Sequence, residues 1–357
     1  MHWYVIGAIL LFSVPVALSV LLTVLHFYLR WKYLHVIVRI FQEKPLFFVA
    51  PGSPQPDAEE VTLHTPDGLR LRGCYLHTPQ PRKGVILFGL EFGSQRWSCV
   101  PYCEQLVAAG YDVFTFEPRN QGASDKDPHY TPLQWVTDRD LIDFRTALDY
   151  LESRADADPR GVGFFGISKG GSAGLLLATR DQRIRCCVTD GAFGTITTVI
   201  PFMRKWIGIY NSSYFVHNLL PDWYYGLLGW AGIHQVARER GVRFLSLESA
   251  IARLAPRPLL MIHGGADTYI RPQMAQALLA RAGEPKSLWI VPGAKHNQAL
   301  HVAGEEYHRR VCEFFDLYLC PASPPVVASS EAMPASEPHD TPAEVISLLA
   351  LSGLQHR

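Results

Sequence analysis

Three residues of this chain have the chemistry of an activated nucleophile, and each stands where an apolar run ends. Ser168 lies in Gly166-Ile167-Ser168-Lys169-Gly170, between the apolar Gly163-Phe164-Phe165 and a small-residue stretch that begins Gly171-Ser172-Ala173. This pattern predicts strand, tight turn and helix, with the serine at the apex and glycines where side chains would collide. An ordinary glycine-rich turn is the competing reading, because a bare Gly-x-Ser-x-Gly also arises by chance. A serine hydroxyl needs a base to take its proton, and that base needs an acid to orient it. Asp267 follows the run 258–263, and His296 follows the run 288–291. Both runs read as buried parallel strands, whose C-terminal ends share one edge of a sheet, so Ser168, Asp267 and His296 can meet there. Asp190, after Cys186-Cys187-Val188-Thr189, is a second candidate acid, with capping of the loop 191–193 as its structural alternative. His263 reads as a packed loop histidine, and His301 and His308 as surface residues. Neither an HExxH, a CxxC pair nor a carboxylate cluster at ligand spacing is present, so no metal and no cofactor is implied.

The elements that must position these residues follow in a recognisable order. Gly84-Val85-Ile86-Leu87-Phe88 is a strand leading into a loop, Gly89-Leu90-Glu91-Phe92-Gly93. Residues 111–116 form the next strand, followed by Arg119-Asn120-Gln121-Gly122-Ala123-Ser124. With the nucleophile turn, the Asp267 loop and the His296 loop, these make five ordered landmarks over residues 61–319. Their arrangement resembles the α/β-hydrolase superfamily, nearest its serine esterase, lipase and aminopeptidase-like branch. That resemblance implies an α/β fold with a mostly parallel sheet, helices on both faces and a helical cap inserted over residues 194–249. It also implies a Ser168–His296–Asp267 triad, with the backbone N–H groups of Lys169 and Glu91 holding the oxyanion. One departure stands out: the family usually has His-Gly where this chain has Gly89-Leu90. A Glu91 carboxylate aimed into the site would repel a developing oxyanion, so either its side chain turns away or the loop is not a working oxyanion hole.

The N-terminus carries a second signal. Residues 3–29 contain no Asp, Glu, Lys or Arg. As a helix they would reach about 40 Å, enough to cross a hydrocarbon core of about 30 Å with tilt. Trp3, Tyr4, Tyr28 and Trp31 flank the stretch as interfacial aromatics do, and Pro15 would kink it without breaking it. A cleaved signal peptide, which would want basic residues before a shorter apolar core, and a buried soluble helix are the alternatives. Arg30, Lys32, Arg39 and Lys44 follow the span, which places the hydrolase domain on the cytoplasmic side. Seven cysteines without framework spacing agree with a reducing compartment.

The expected organisation is a transmembrane anchor over 1–30, a juxtamembrane segment and linker over 31–60, the hydrolase domain over 61–320 and a disordered Pro-, Ala- and Ser-rich tail over 321–357. The apolar and basic residues after 33 read either as an interfacial segment or as packing on the domain. Aromatics of the cap, among them Phe202, Trp223 and Trp230, read either as packing or as an acyl pocket or bilayer face. The charges cancel, 33 basic against 33 acidic, which gives a nucleic-acid partner no support. The expectation is a membrane-anchored serine hydrolase acting on a carboxylic ester of a small-molecule or lipid acyl substrate. A peptidase or amidase of the same fold, and a non-catalytic binding module tethered to the membrane, stay open.

Overall fold

The computed structural model describes residues 2–43, 49, 52–210 and 220–320. The chain divides into two units, Met1–Pro321 and Ala322–Arg357, and the tail that makes up the second lies outside the described residues. In chain order the first unit forms α1 (His2–Gln42), β1 (Glu59–His64), β2 (Arg70–Leu76), β3 (Gly84–Gly89), α2 (Val100–Ala108), β4 (Tyr111–Phe116), α3 (Asp138–Ser153), β5 (Val162–Ile167) and α4 (Ser168–Ala178). It continues through β6 (Ile184–Asp190), α5 (Ile196–Tyr210), α6 (Asp222–Arg240), β7 (Leu259–Gly264), α7 (Pro272–Leu279), β8 (Lys286–Val291), α8 (Ala299–Ala303) and α9 (Glu305–Tyr318).

The sheet order is β1-β2-β4-β3-β5-β6-β7-β8. β1, β2 and β4 pair antiparallel, and every pairing from β4 to β8 is parallel. Every residue of β3, β4, β5 and β7 is buried, because helices cover both faces. That is why these strands read as unbroken apolar runs rather than alternating ones. α3, α4 and α7 supply one core layer, and α2 and α9 the other. The winding reverses at β3, which lies between β4 and β5, and Gly89 there pairs with Gly166. A crevice therefore opens where the loop after β3 meets the turn after β5.

The turn after β4 is structural. Arg119, almost fully buried, makes charge-assisted bonds of 2.7 and 2.9 Å to Asp143 on α3 and reaches Asp67 at 2.6 Å in the β1–β2 turn. Ser124 Oγ donates to the Glu117 carbonyl at 2.6 Å and accepts the Arg72 N–H at 2.8 Å. The motif thus ties the antiparallel hairpin to the parallel sheet.

α1 is one helix of 41 residues with Pro15 inside it. Among the described residues it is long and apolar enough to cross a membrane. Its outer part exposes apolar side chains such as Leu11, Phe12, Leu18 and Leu22. Its inner part does the opposite. Leu29, Tyr33, Ile37 and Phe41 are buried in a third core with α5, α6 and Trp135. The Trp135 indole stacks on Phe41 at 4.9 Å and donates to its carbonyl at 2.7 Å. The segment after residue 30 is therefore, as far as Gln42, the inner end of the same helix, and it packs on the domain. Residues 44–48 and 50–51 lie outside the described residues. The cap insert expected over 194–249 holds α5 and α6.

Candidate active site

The turn from β5 into α4 forces Ser168 to φ +50°, a left-handed conformation that costs a side chain bearing Cβ. Glycines on either side permit it. A Cβ on Gly166 would lie 2.7 Å from the Gly171 Cα, and one on Gly170 would lie 2.2 Å from the Leu90 carbonyl oxygen. The second contact shows how closely the start of α4 presses against the loop after β3.

Ser168 Oγ lies 3.0 Å from His296 Nε2, and His296 Nδ1 lies 2.6 Å from Asp267 Oδ2. The other Asp267 oxygen accepts the backbone N–H groups of Tyr269 at 2.8 Å and Ile270 at 2.9 Å. The three residues named from the sequence thus converge from the ends of β5, β7 and β8. His263 braces the acid's loop: its Nε2 bonds the Ile270 carbonyl at 2.6 Å and lies 3.5 Å from Asp267 Oδ2. Burial lowers its pKa, against the opposing pull of the Ile270 carbonyl and the Asp267 charge. The Tyr269 ring meets the His296 ring edge-on, with centroids 5.5 Å apart.

Asp190 does not join this chain. It is fully buried, and its Oδ2 accepts the Tyr307 hydroxyl at 3.1 Å. Burial pushes its pKa up to about 7, and the nearby Glu91 and Asp267 charges act in the same direction.

Glu91 does not turn out into solvent. Its carboxylate accepts a hydrogen bond from the Asn297 side chain, beside His296, and burial raises its pKa. Its partner Asn297 sits at φ +55°. The Lys169 side chain forms a buried ion pair of 2.8 Å with Asp140, the residue that closes the capping box of α3. The ammonium also lies over the Phe92 ring, 5.6 Å from its centroid, and so links α3, α4 and the loop after β3. Sequence reasoning missed Asn297, Tyr269 and this Lys169–Asp140 pair. Adjacency to His296 and Asp267 was the available signal for the first two; the pair spans 29 residues and carried none. Among the described residues no cluster of His, Cys, Asp and Glu has the geometry of a metal site.

The alpha/beta hydrolase family model matches residues 88–313. The chain belongs to that family. YfhR of Escherichia coli K12, an uncharacterised protein, is 28% identical over 283 residues, covering 75% of this chain and 86% of that protein. The Pyrococcus furiosus esterase Pf2001 superposes with a TM-score of 0.57 at 20% identity, covering 78% of this chain and 98% of that one. The crystal structure of PA2218 from Pseudomonas aeruginosa gives 0.53 at 18% identity, covering 77% and 99%. At these identities the structural likeness carries the fold. Family membership supports a hydrolase in general terms, and the substrate must be argued from this chain's own residues.

Proposed function

We propose that this alpha/beta hydrolase is a membrane-anchored serine hydrolase that cleaves a carboxylic ester of a lipophilic acyl substrate. The observation that carries the reading is the continuous contact from Ser168 Oγ through His296 to Asp267, seated on a buried, left-handed turn. In this reading His296 Nε2 takes the hydroxyl proton as Ser168 Oγ attacks the acyl carbonyl carbon. Asp267, fixed by two backbone N–H groups, keeps the imidazole Nδ1–H toward itself and stabilises the cation. The backbone N–H of Lys169, in the first turn of α4 where no intrahelical acceptor exists, and that of Glu91 would hold the oxyanion. Collapse of the tetrahedral intermediate releases the alcohol with a proton from His296. Water, deprotonated by the same imidazole, then frees the acid and Ser168.

An ester is favoured because an alkoxide leaves more readily than an amine anion; the amidase and peptidase readings keep the same residues. α1 supports the lipophilic substrate, since it would hold the site at the bilayer. The basic residues after its apolar stretch support a cytoplasmic domain, and the seven free cysteines agree with that side. Glu91 is the one observation favouring a non-catalytic module. A fluorophosphonate probe separates the two, because it labels only an activated serine. Full-length protein in membranes should be labelled and Ser168→Ala should not. A native protein that stays unlabelled would favour the module.

A further inference from the structure

α6 runs parallel to α1 and in constant register with it. His26 Nδ1 bonds the Tyr224 hydroxyl at 3.2 Å, and Gln42 Oε1 accepts the Arg240 guanidinium at 2.9 Å, both pairs being 198 positions apart. Midway between them the helices nearly touch: a Cβ on Gly232 would lie 2.6 Å from Ile37 Cγ2 and 3.9 Å from Leu34 Cδ1. Each level of α6 can therefore be read against α1. Trp223 stands level with residue 25, Leu227 with Leu29 and Trp230 with Lys32.

Those three α6 side chains share one face and are 70%, 44% and 56% exposed. An apolar, outward stripe of two tryptophans and a leucine needs a cover. At its inner end the stripe turns polar, since Trp230 stacks on His234 at 4.5 Å and the exposed Arg238 follows. α1 makes the same change at the same level, from Tyr28 and Trp31 to the exposed Lys32, His35 and Arg39. Between the helices a groove lined by Phe27, Arg30, Trp31, Leu34, His35 and Gln235 joins aromatic to basic side chains. At the outer end Asp222 pairs with Arg204 at 2.6 Å, so this stripe begins in a polar layer rather than in hydrocarbon.

The geometry points to α6 as a second membrane contact: the Trp223–Leu227–Trp230 face lies in the headgroup layer of the bilayer that α1 crosses. The inference rests on the reading of α1 as a span. Residues 3–24, the part of α1 beyond Trp223, would cover about 33 Å, close to the thickness of a hydrocarbon core. The stripe itself extends over about 10 Å, the depth of an interfacial layer. Aromatic rings on both helices form the belt, and the basic residues just inside it complement lipid phosphates. Docked in this way α6 stays against the lipid surface, and α5, whose Phe202 ring meets Tyr269 beside His296, stays near it.

Nitroxide labels at exposed positions test this in the full-length chain, reconstituted in phosphatidylcholine–phosphatidylglycerol vesicles with Cys312 and Cys320 replaced by serine. Leu227→Cys, Arg238→Cys and, as a control in α1, Leu18→Cys are each labelled, and collisions with oxygen and with a water-soluble nickel chelate are compared. Leu18 should read as hydrocarbon and Arg238 as aqueous, while Leu227 should lose nickel access and keep oxygen access. Nickel access at Leu227 equal to that at Arg238, with Leu18 in lipid, would overturn the membrane contact and leave the anchor standing. Loss of both reagents at Leu227 would overturn it in favour of a protein partner or a second copy. An aqueous Leu18 would overturn the anchor itself, and the α6 contact with it.

Discussion

Asp267 and Asp190 are two buried carboxyls at the ends of neighbouring strands, and their environments push them toward different work. Asp267 touches the imidazole at 2.6 Å, so Asp267→Asn should lower turnover by orders of magnitude, since an amide favours the wrong tautomer and cannot support the cation. Asp190→Asn should cost far less; steady-state kinetics on a soluble ester, at matched folding by circular dichroism, decides between them. The larger loss at Asp190 would move the acid by one strand. Asp190 should reveal itself instead in stability. Its pKa rises from about 4 in an unfolded chain to about 7 in the fold, because burial penalises the charge. The protonated form is therefore the one the fold prefers, and this contribution is complete below about pH 4 and lost as pH rises through about 7. Relative to native protein, Asp190→Asn should be more stable at pH 8 by up to a few kcal/mol, with the gain shrinking toward pH 4. Urea denaturation across that range measures it, and a constant difference would refute the assignment. The candidate triad was legible because each member ends a run that only a buried strand explains. Glu91 was not, since its orientation depends on Asn297, 206 positions away in another loop.

Elements with a single dominant period were readable, and an element with two environments was not. The central strands are buried on both faces, and α9 shows its apolar face at helical spacing through Tyr307, Val311, Phe314 and Phe315. Such patterns state their surroundings directly. The apolar run of α1 continues past Arg30 and Lys32 along one face, so sequence alone did not mark where that face turns onto the domain; only the packing of Leu29, Tyr33, Ile37 and Phe41 does so. Sequence reasoning would start a soluble hydrolase domain near Gly52, beyond the anchor. The structure predicts that this truncation fails, because it strips four buried side chains from the third core and takes away the Phe41 carbonyl that receives the Trp135 indole N–H. Each large buried side chain removed costs about 2–5 kcal/mol, so the cap should lose its fixed packing. A chain beginning at Leu25 keeps those contacts and the His26–Tyr224 bond. Thermal melts and limited proteolysis should show a cooperative, protected fold for the second chain and early cleavage in the cap for the first. Equal melting temperatures would mean that α1 contributes nothing to the domain.

At the scale of the whole molecule, α1 has an exposed apolar part and a domain-packed part, and the two can be separated. Its outer half exposes apolar residues that no part of the described domain covers, while its inner half completes the cap. Comparing the full chain with the chain beginning at Leu25 therefore removes the span and leaves the domain whole. On a short water-soluble ester the two should be equally active, since Ser168, His296, Asp267 and the third core are common to both. On an ester embedded in vesicles the shorter chain should be slower by about tenfold or more, because tethering raises the effective substrate concentration without altering the chemistry. The full chain should stay with membranes through a carbonate wash. Protease added to intact cells should leave its catalytic domain uncut, given Arg30, Lys32 and Arg39 after the apolar stretch. The outcomes separate cleanly. Equal activity on the embedded ester would remove the case for a lipophilic substrate while leaving Ser168 chemistry intact. Cutting by external protease would reverse the orientation, and the seven free cysteines would then face an oxidising compartment, where Cys312 and Cys320, the two half-buried ones, are the first to be modified.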